Sequence, residues 1–136
     1  MPTFTPIPDL PAKGARVTIE QMQHLCEAKG LPHLWQRITA DPPRKPFASD
    51  GCSLFFNQIA GVSIYPACFF HDLKYWAGYP TMDPAEQLER FVADAELMID
   101  VASLGVDLFV AETMFRGVRT GGAPGALPFA WGFGRT

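Results

Sequence analysis

The sequence predicts a mainly α protein, and three observations carry that expectation. Two stretches open on strong helix-start signals, Thr18 with Gln21 and Asp83 with Pro84 and Glu86. Both end at a glycine, Gly30 and Gly105. No strand-rich region with a two-residue apolar alternation is visible anywhere in the chain.

The elements follow in order. Residues 1–17 read as an extended arm punctuated by proline. A helix runs from Thr18 to Gly30, and a short helical piece covers Leu31–Ile38, with Pro32 in its first turn. Asp41–Ser49 holds three prolines and two basic residues and reads as a linker. Residues 50–65 carry Gly51 and Gly61 without a helical period and read as a structured loop. Pro66 suits the first turn of a helix reaching Ala77, with Gly78 just beyond it. The next helix starts at Asp83. Its apolar stripe of Leu88, Phe91, Val92, Ala95, Met98, Ile99 and Ala102 is expected to face the core, with Glu86, Glu89, Glu96 and Asp100 on the solvated side. A last helix covers Asp107–Arg119 and closes at Gly121 and Gly122. The tail is irregular and aromatic.

With 136 residues the chain is expected to form a single domain. A net charge of −3 argues against nucleic-acid binding, which needs a basic surface to neutralise phosphates. It argues equally against strong electrostatic docking on anionic membranes. No segment is long and charge-free enough to be a transmembrane span. Three cysteines, Cys26, Cys52 and Cys68, allow one disulfide and one free thiol. His24, Cys26 and His33 do not have the spacing of a standard zinc finger.

Chemistry concentrates on the helix 66–77. At about 100° per residue, Cys68, His71, Asp72 and Tyr75 share one sector beside the apolar face of Phe69, Leu73 and Trp76. Burying such a face is costly unless its polar groups find partners. On the following helix Asp94 sits at the edge of the apolar stripe, apart from the other acids. The short connection favours an antiparallel hairpin whose turn is centred between Met82 and Asp83. His71 and Asp94 are equidistant from that centre, and so are Tyr75 and Arg90. The register therefore predicts a buried His–Asp pair. A carboxylate on one ring nitrogen fixes the tautomer and leaves the other able to take a proton from water. Asp72 points elsewhere, and a cation bound there would polarise a carbonyl under attack. The same geometry also fits a core histidine pair with no catalytic part.

The run CFFHDLKYW, Cys68 to Trp76, resembles the signature of secreted phospholipases A₂: cysteine, two residues, His-Asp, then tyrosine after two more. Cys52 lies sixteen residues upstream of Cys68, the spacing of that family's calcium-loop disulfide. Together with DGCS, MFRGVRTGG and WGFG, the pattern is similar to bacterial phospholipase A₂-like proteins over roughly residues 50–133, and the resemblance does not extend to residues 1–49, the arm and first helices, whose role it leaves open. The resemblance implies an antiparallel two-helix core with a calcium-binding loop and additional helices. It implies His71 as general base, Asp94 as its partner, Tyr75 as a hydrogen-bonding neighbour and a Cys52–Cys68 bridge. The Ca²⁺ ligands it implies are Asp72 and loop carbonyls at Gly51, Ser53 and Phe55. The implied reaction is hydrolysis of the sn-2 ester of a glycerophospholipid at a membrane or micelle surface. Ser53 and Phe55 stand where the family has glycines, which motivates an alternative: a non-catalytic, toxin-like binding module that keeps the hairpin and holds no calcium. The implied bridge favours a secreted or periplasmic setting; no signal-peptide pattern opens the chain, so a cytoplasmic one stays open.

The end of the last helix and the aromatics complete the reading. Arg116 and Arg119 suit a helix C-terminus or a lipid phosphate. Phe55, Phe56, Phe129, Trp131 and Phe133 form either a lipid-contact surface or part of the core.

Overall fold

The computed structural model describes residues 10–52 and 55–136. It is mainly helical. After a two-residue strand β1 (Arg16–Val17) come α1 (Ile19–Lys29), α2 (Pro32–Ala40), β2 (Phe47–Ala48), β3 (Gln58–Ile59) and β4 (Val62–Ser63). Three longer helices follow, α3 (Tyr65–Ala77), α4 (Pro84–Ser103) and α5 (Leu108–Gly121), before a single closing 3₁₀ turn at Phe133–Arg135.

Local chemistry sets the boundaries. The Thr18 hydroxyl accepts from the Gln21 N–H at 3.1 Å, and the Gln21 side chain accepts from the Thr18 N–H at 2.8 Å. This capping box satisfies two donors that an α-helix leaves unpaired. The Asp83 and Asp107 carboxylates do the same for the first turns of α4 and α5, each accepting a backbone N–H at 2.8 Å.

α3 is the centre of the molecule: every residue from Ala67 to Ala77 is buried. One side, through Phe69, Phe70, Leu73 and Trp76, packs with Met22, Leu25 and Cys26 of α1, Leu34 and Ile38 of α2, and Phe47. The other, through Ala67 and Cys68, meets Leu97 and Val101 of α4 and Ala111 and Met114 of α5. The amino-terminal helices thus cover one face of the same core. Tyr79 with Glu86, Tyr75 with Arg90 and His71 with Asp94 are nested contacts about one turn, which makes α3 and α4 antiparallel.

Three expectations change. The segment read as a linker contains β2, which pairs antiparallel with β1, and Phe47 is wholly buried. A prolyl segment can do this because its one large apolar side chain fills a gap beside Phe69 and Trp76. The loop 50–65 contains a β3–β4 hairpin whose turn residues, Ala60 and Gly61, have φ of 51° and 81°, the backbone that matches strand twist in a two-residue turn.

The third change concerns α4. Its buried residues are Arg90, Ala93, Asp94, Leu97 and Val101, while Leu88, Phe91, Val92 and Ile99 are exposed. The acids expected in solvent are instead ties to the rest of the fold. Glu86 accepts from Arg37 at 2.7 Å, Glu89 meets His33 at 2.9 Å, Glu96 accepts from Lys74 at 2.9 Å and Asp100 from Lys29 at 3.1 Å. A buried carboxylate with several charged partners fixes the helix rotation more strongly than an apolar stripe does, because leaving that carboxylate unpaired costs several kcal/mol.

Candidate active site

Helical periodicity brings Cys68, His71, Asp72 and Tyr75 onto the wall of a cleft of about 290 Å³. Gly51, Cys52 and Phe55 of the loop form a second wall, α5 contributes Met114 and Val118, and the tail contributes Leu127 and Phe129. The Cys52–Cys68 disulfide clamps the loop to α3. At its floor the His71 Nε2 lies 2.8 Å from Asp94 Oδ1, and the Tyr75 hydroxyl donates to the same oxygen at 2.6 Å. The His71 and Tyr75 rings are stacked at a tilt, 4.4 Å between centroids.

Asp94 is completely excluded from solvent, yet fully supplied with donors. Its second oxygen accepts from Arg119 Nη1 at 2.8 Å and has Arg90 Nη1 at 3.5 Å. Arg90 also donates to the carbonyls of Val118 and Arg119, closing the last turn of α5. Close approach of that turn to the site needs a glycine: a Cβ on Gly122 would come 2.3 Å from the Tyr75 hydroxyl.

The electrostatics follow from burial. Loss of water pulls the His71 pKa below its ordinary value, against the opposing pull of Asp94, so the ring is neutral near pH 7. Burial first and the Asp94 charge second push the Tyr75 phenol far above its usual range, so it stays a hydrogen-bond donor. Asp72 behaves in the opposite way to a salt-bridged acid. Burial, and then the neighbouring Asp50 charge, raise its pKa well above its ordinary value. Ser49 Oγ donates to Asp72 Oδ2 at 2.7 Å and accepts the Gly51 N–H at 3.1 Å, so the loop and the carboxylate are joined through one hydroxyl.

Of the residues singled out by sequence, His71, Asp94 and Tyr75 are in mutual contact, Asp72 is beside them in the cleft, and Gly51 and Phe55 line its far wall. Ser53 lies outside the described residues. The Cys52 carbonyl accepts from the Phe55 N–H at 2.7 Å. Arg119 does not line the cleft; its guanidinium is committed to Asp94 and lies over the Phe91 ring, 5.3 Å from the centroid. Trp131 is buried and Phe133 half-buried, so these two belong to the core, while Phe55, Phe56 and Phe129 are exposed.

Sequence reasoning missed the roles of Ser49, Asp50 and Arg119. Arg90 was signalled by its register with Tyr75. The position of Asp50, immediately before Gly51, was a signal for the loop acid. Among the described residues no three His, Cys, Asp or Glu side chains gather into a metal cage. The donor set is nevertheless one that fits a hard cation: the buried Asp72 carboxylate has the half-buried Asp50 carboxylate as a neighbour, and that like charge disfavours ionisation of Asp72.

No protein-family model, no curated protein and no solved structure matches the chain.

Proposed function

We propose that the protein is a calcium-dependent hydrolase of the sn-2 ester of glycerophospholipids, acting in the manner of the secreted phospholipases A₂ that its sequence resembles. One observation carries the reading: a neutral histidine, backed by a buried carboxylate, opens on an apolar cleft next to a second carboxylate.

With Nε2 held by Asp94, His71 has Nδ1 left to take a proton from water as that water attacks the ester carbonyl. Asp94 steadies the imidazolium that forms, and the same Nδ1 then returns the proton to the departing glycerol oxygen. Tyr75 shares Asp94 Oδ1 and keeps the carboxylate turned toward the ring. Asp72 and Asp50, with loop carbonyls, would hold calcium, which supplies positive charge against the ester and phosphate oxygens. Leu97, Met114, Val118, Leu127 and Phe129 offer an apolar channel for an acyl chain. Phe56, 72 % exposed, stands next to Phe55 at the cleft wall and is suited to dip into a lipid surface.

The test is fatty-acid release from phosphatidylcholine vesicles in millimolar calcium and in chelator. Release that needs calcium, and that is lost in Asp72→Asn, is the expected result. A second reading, a binding module without catalysis, is favoured by Phe55, which stands where the family has a glycine and whose N–H is taken up by the Cys52 carbonyl. It predicts no heat when millimolar calcium is titrated into the protein.

A further inference from the structure

The hydrogen bonds at the site leave Arg119 without a role in the reaction as assigned above, and its position is unusual. Arg119 sits on the last turn of α5, outside the cleft, with 28 % of its side chain exposed. It nevertheless makes the shorter of the two guanidinium contacts to the one acid that is wholly out of water, 2.8 Å against 3.5 Å for Arg90. A carboxylate can rotate about its Cβ–Cγ bond. Asp94 Oδ1 serves both His71 and Tyr75, so something must hold Oδ2 on the far side. Arg90 is poorly placed for this: its Nη1 is shared among the Tyr75 hydroxyl and two backbone carbonyls, all at 3.3–3.5 Å. Among the described residues Arg119 Nη1 bonds Asp94 alone, and Phe91 beneath its plane limits where the guanidinium can lie.

We infer that Arg119 is a positioning residue: by gripping Asp94 Oδ2 from α5 it sets the orientation of Oδ1 toward His71 Nε2, and so makes the third long helix part of the dyad. The inference rests on the hydrolase reading for its catalytic consequence but not for the geometry itself. Removing the grip frees the carboxylate to turn toward Arg90, which lengthens the bond to the imidazole and blurs the position of Nδ1. Misplacement on that scale lowers turnover about 10- to 100-fold and leaves substrate binding alone, because Arg119 does not reach the cleft.

The experiment compares wild type, Arg119→Met and Arg119→Lys by two readouts, the imidazole N–H proton resonance of the His71–Asp94 hydrogen bond, which a 2.8 Å contact is expected to shift downfield in wild type, and the split between kcat and KM. The expected result is a resonance lost or exchange-broadened in Arg119→Met, with kcat reduced and KM unchanged, and partial return of both in Arg119→Lys. Should Arg119→Met fail to fold, Arg119→Gln replaces it, since the shorter amide cannot reach Asp94 and the same result is expected. A resonance unaltered in the folded variant would overturn the inference, as would a rise in KM at constant kcat, which would make Arg119 a substrate ligand. If wild type hydrolyses no lipid, the hydrolase reading fails by itself, and the resonance still decides whether Arg119 orients the pair.

Discussion

Asp94 ties together four side chains from the three long helices. It has no exposed surface, and it carries a histidine, a tyrosine and two arginines on its two oxygens. Asp94→Ala is therefore expected to cost on the order of 3–5 kcal/mol of stability, measured by urea unfolding, because it strands buried positive charge. His71→Ala removes a neutral, mostly buried ring and should leave the helical circular dichroism in place while reducing hydrolysis by about 10²–10⁴-fold. Cys26 gives a residue-scale test independent of function. Burial raises its thiol from 9.0 to about 11. Between those values the unfolded thiol has ionised and the native one has not, so the native state binds more protons and stability falls as pH rises. The wild type should lose stability more steeply than Cys26→Ala above pH 9, and the native thiol should resist thiol reagents until the protein unfolds.

At the scale of elements, the pairing of α3 with α4 was legible because a short turn fixes the register, and register alone aligned His71 with Asp94 and Tyr75 with Arg90. The caps at Thr18 and Asp83 were legible for similar local reasons. The rotation of α4 was not. Its apolar residues form a regular stripe, yet Leu88, Phe91, Val92 and Ile99 face out. What decides the inward face is a set of long-range ion pairs, to Arg37, Lys74, Lys29 and Arg119, and a single helix carries no information about them. Paired substitutions check this rotation. Ile99→Gln should change stability by no more than about 0.5 kcal/mol, whereas Leu97→Ala, two residues away, should cost about 2–5 kcal/mol. The opposite ranking in denaturant melts would mean that the stripe, not the charges, faces the core. The loop was legible only in part: Cys52 and Cys68 pointed to its clamp, but Ser49 and Asp50 contribute through contacts that no spacing rule anticipates. Opening the clamp with Cys52→Ala and Cys68→Ala together should lower stability by about 3 kcal/mol for a separation of 16 residues, and should reduce calcium affinity further than it reduces helix content.

For the molecule as a whole, α3 is enclosed on both sides, so the site stands on the most deeply buried element of the fold and its geometry depends on both halves of the core. The same burial makes an ionised Asp72 a cost at neutral pH. Because the Asp72 pKa is raised above its unfolded value, the native state keeps a proton that the unfolded chain has released, and stability falls as pH rises through that interval. Calcium should offset the loss. At ten times its dissociation constant it adds about 1.4 kcal/mol, a rise in Tm of a few degrees, seen in wild type and absent in Asp72→Asn. That shift tests the cation without requiring any activity. The central claim, that His71 activates water against a phospholipid ester, is tested most directly by incubating wild type and His71→Ala with phosphatidylcholine carrying different acyl chains at its two positions, in millimolar calcium, and identifying the acid released. Wild type should release the sn-2 acid alone, and His71→Ala none above background. No acid from a folded, calcium-loaded wild type, or equal release by the two proteins, would contradict the claim.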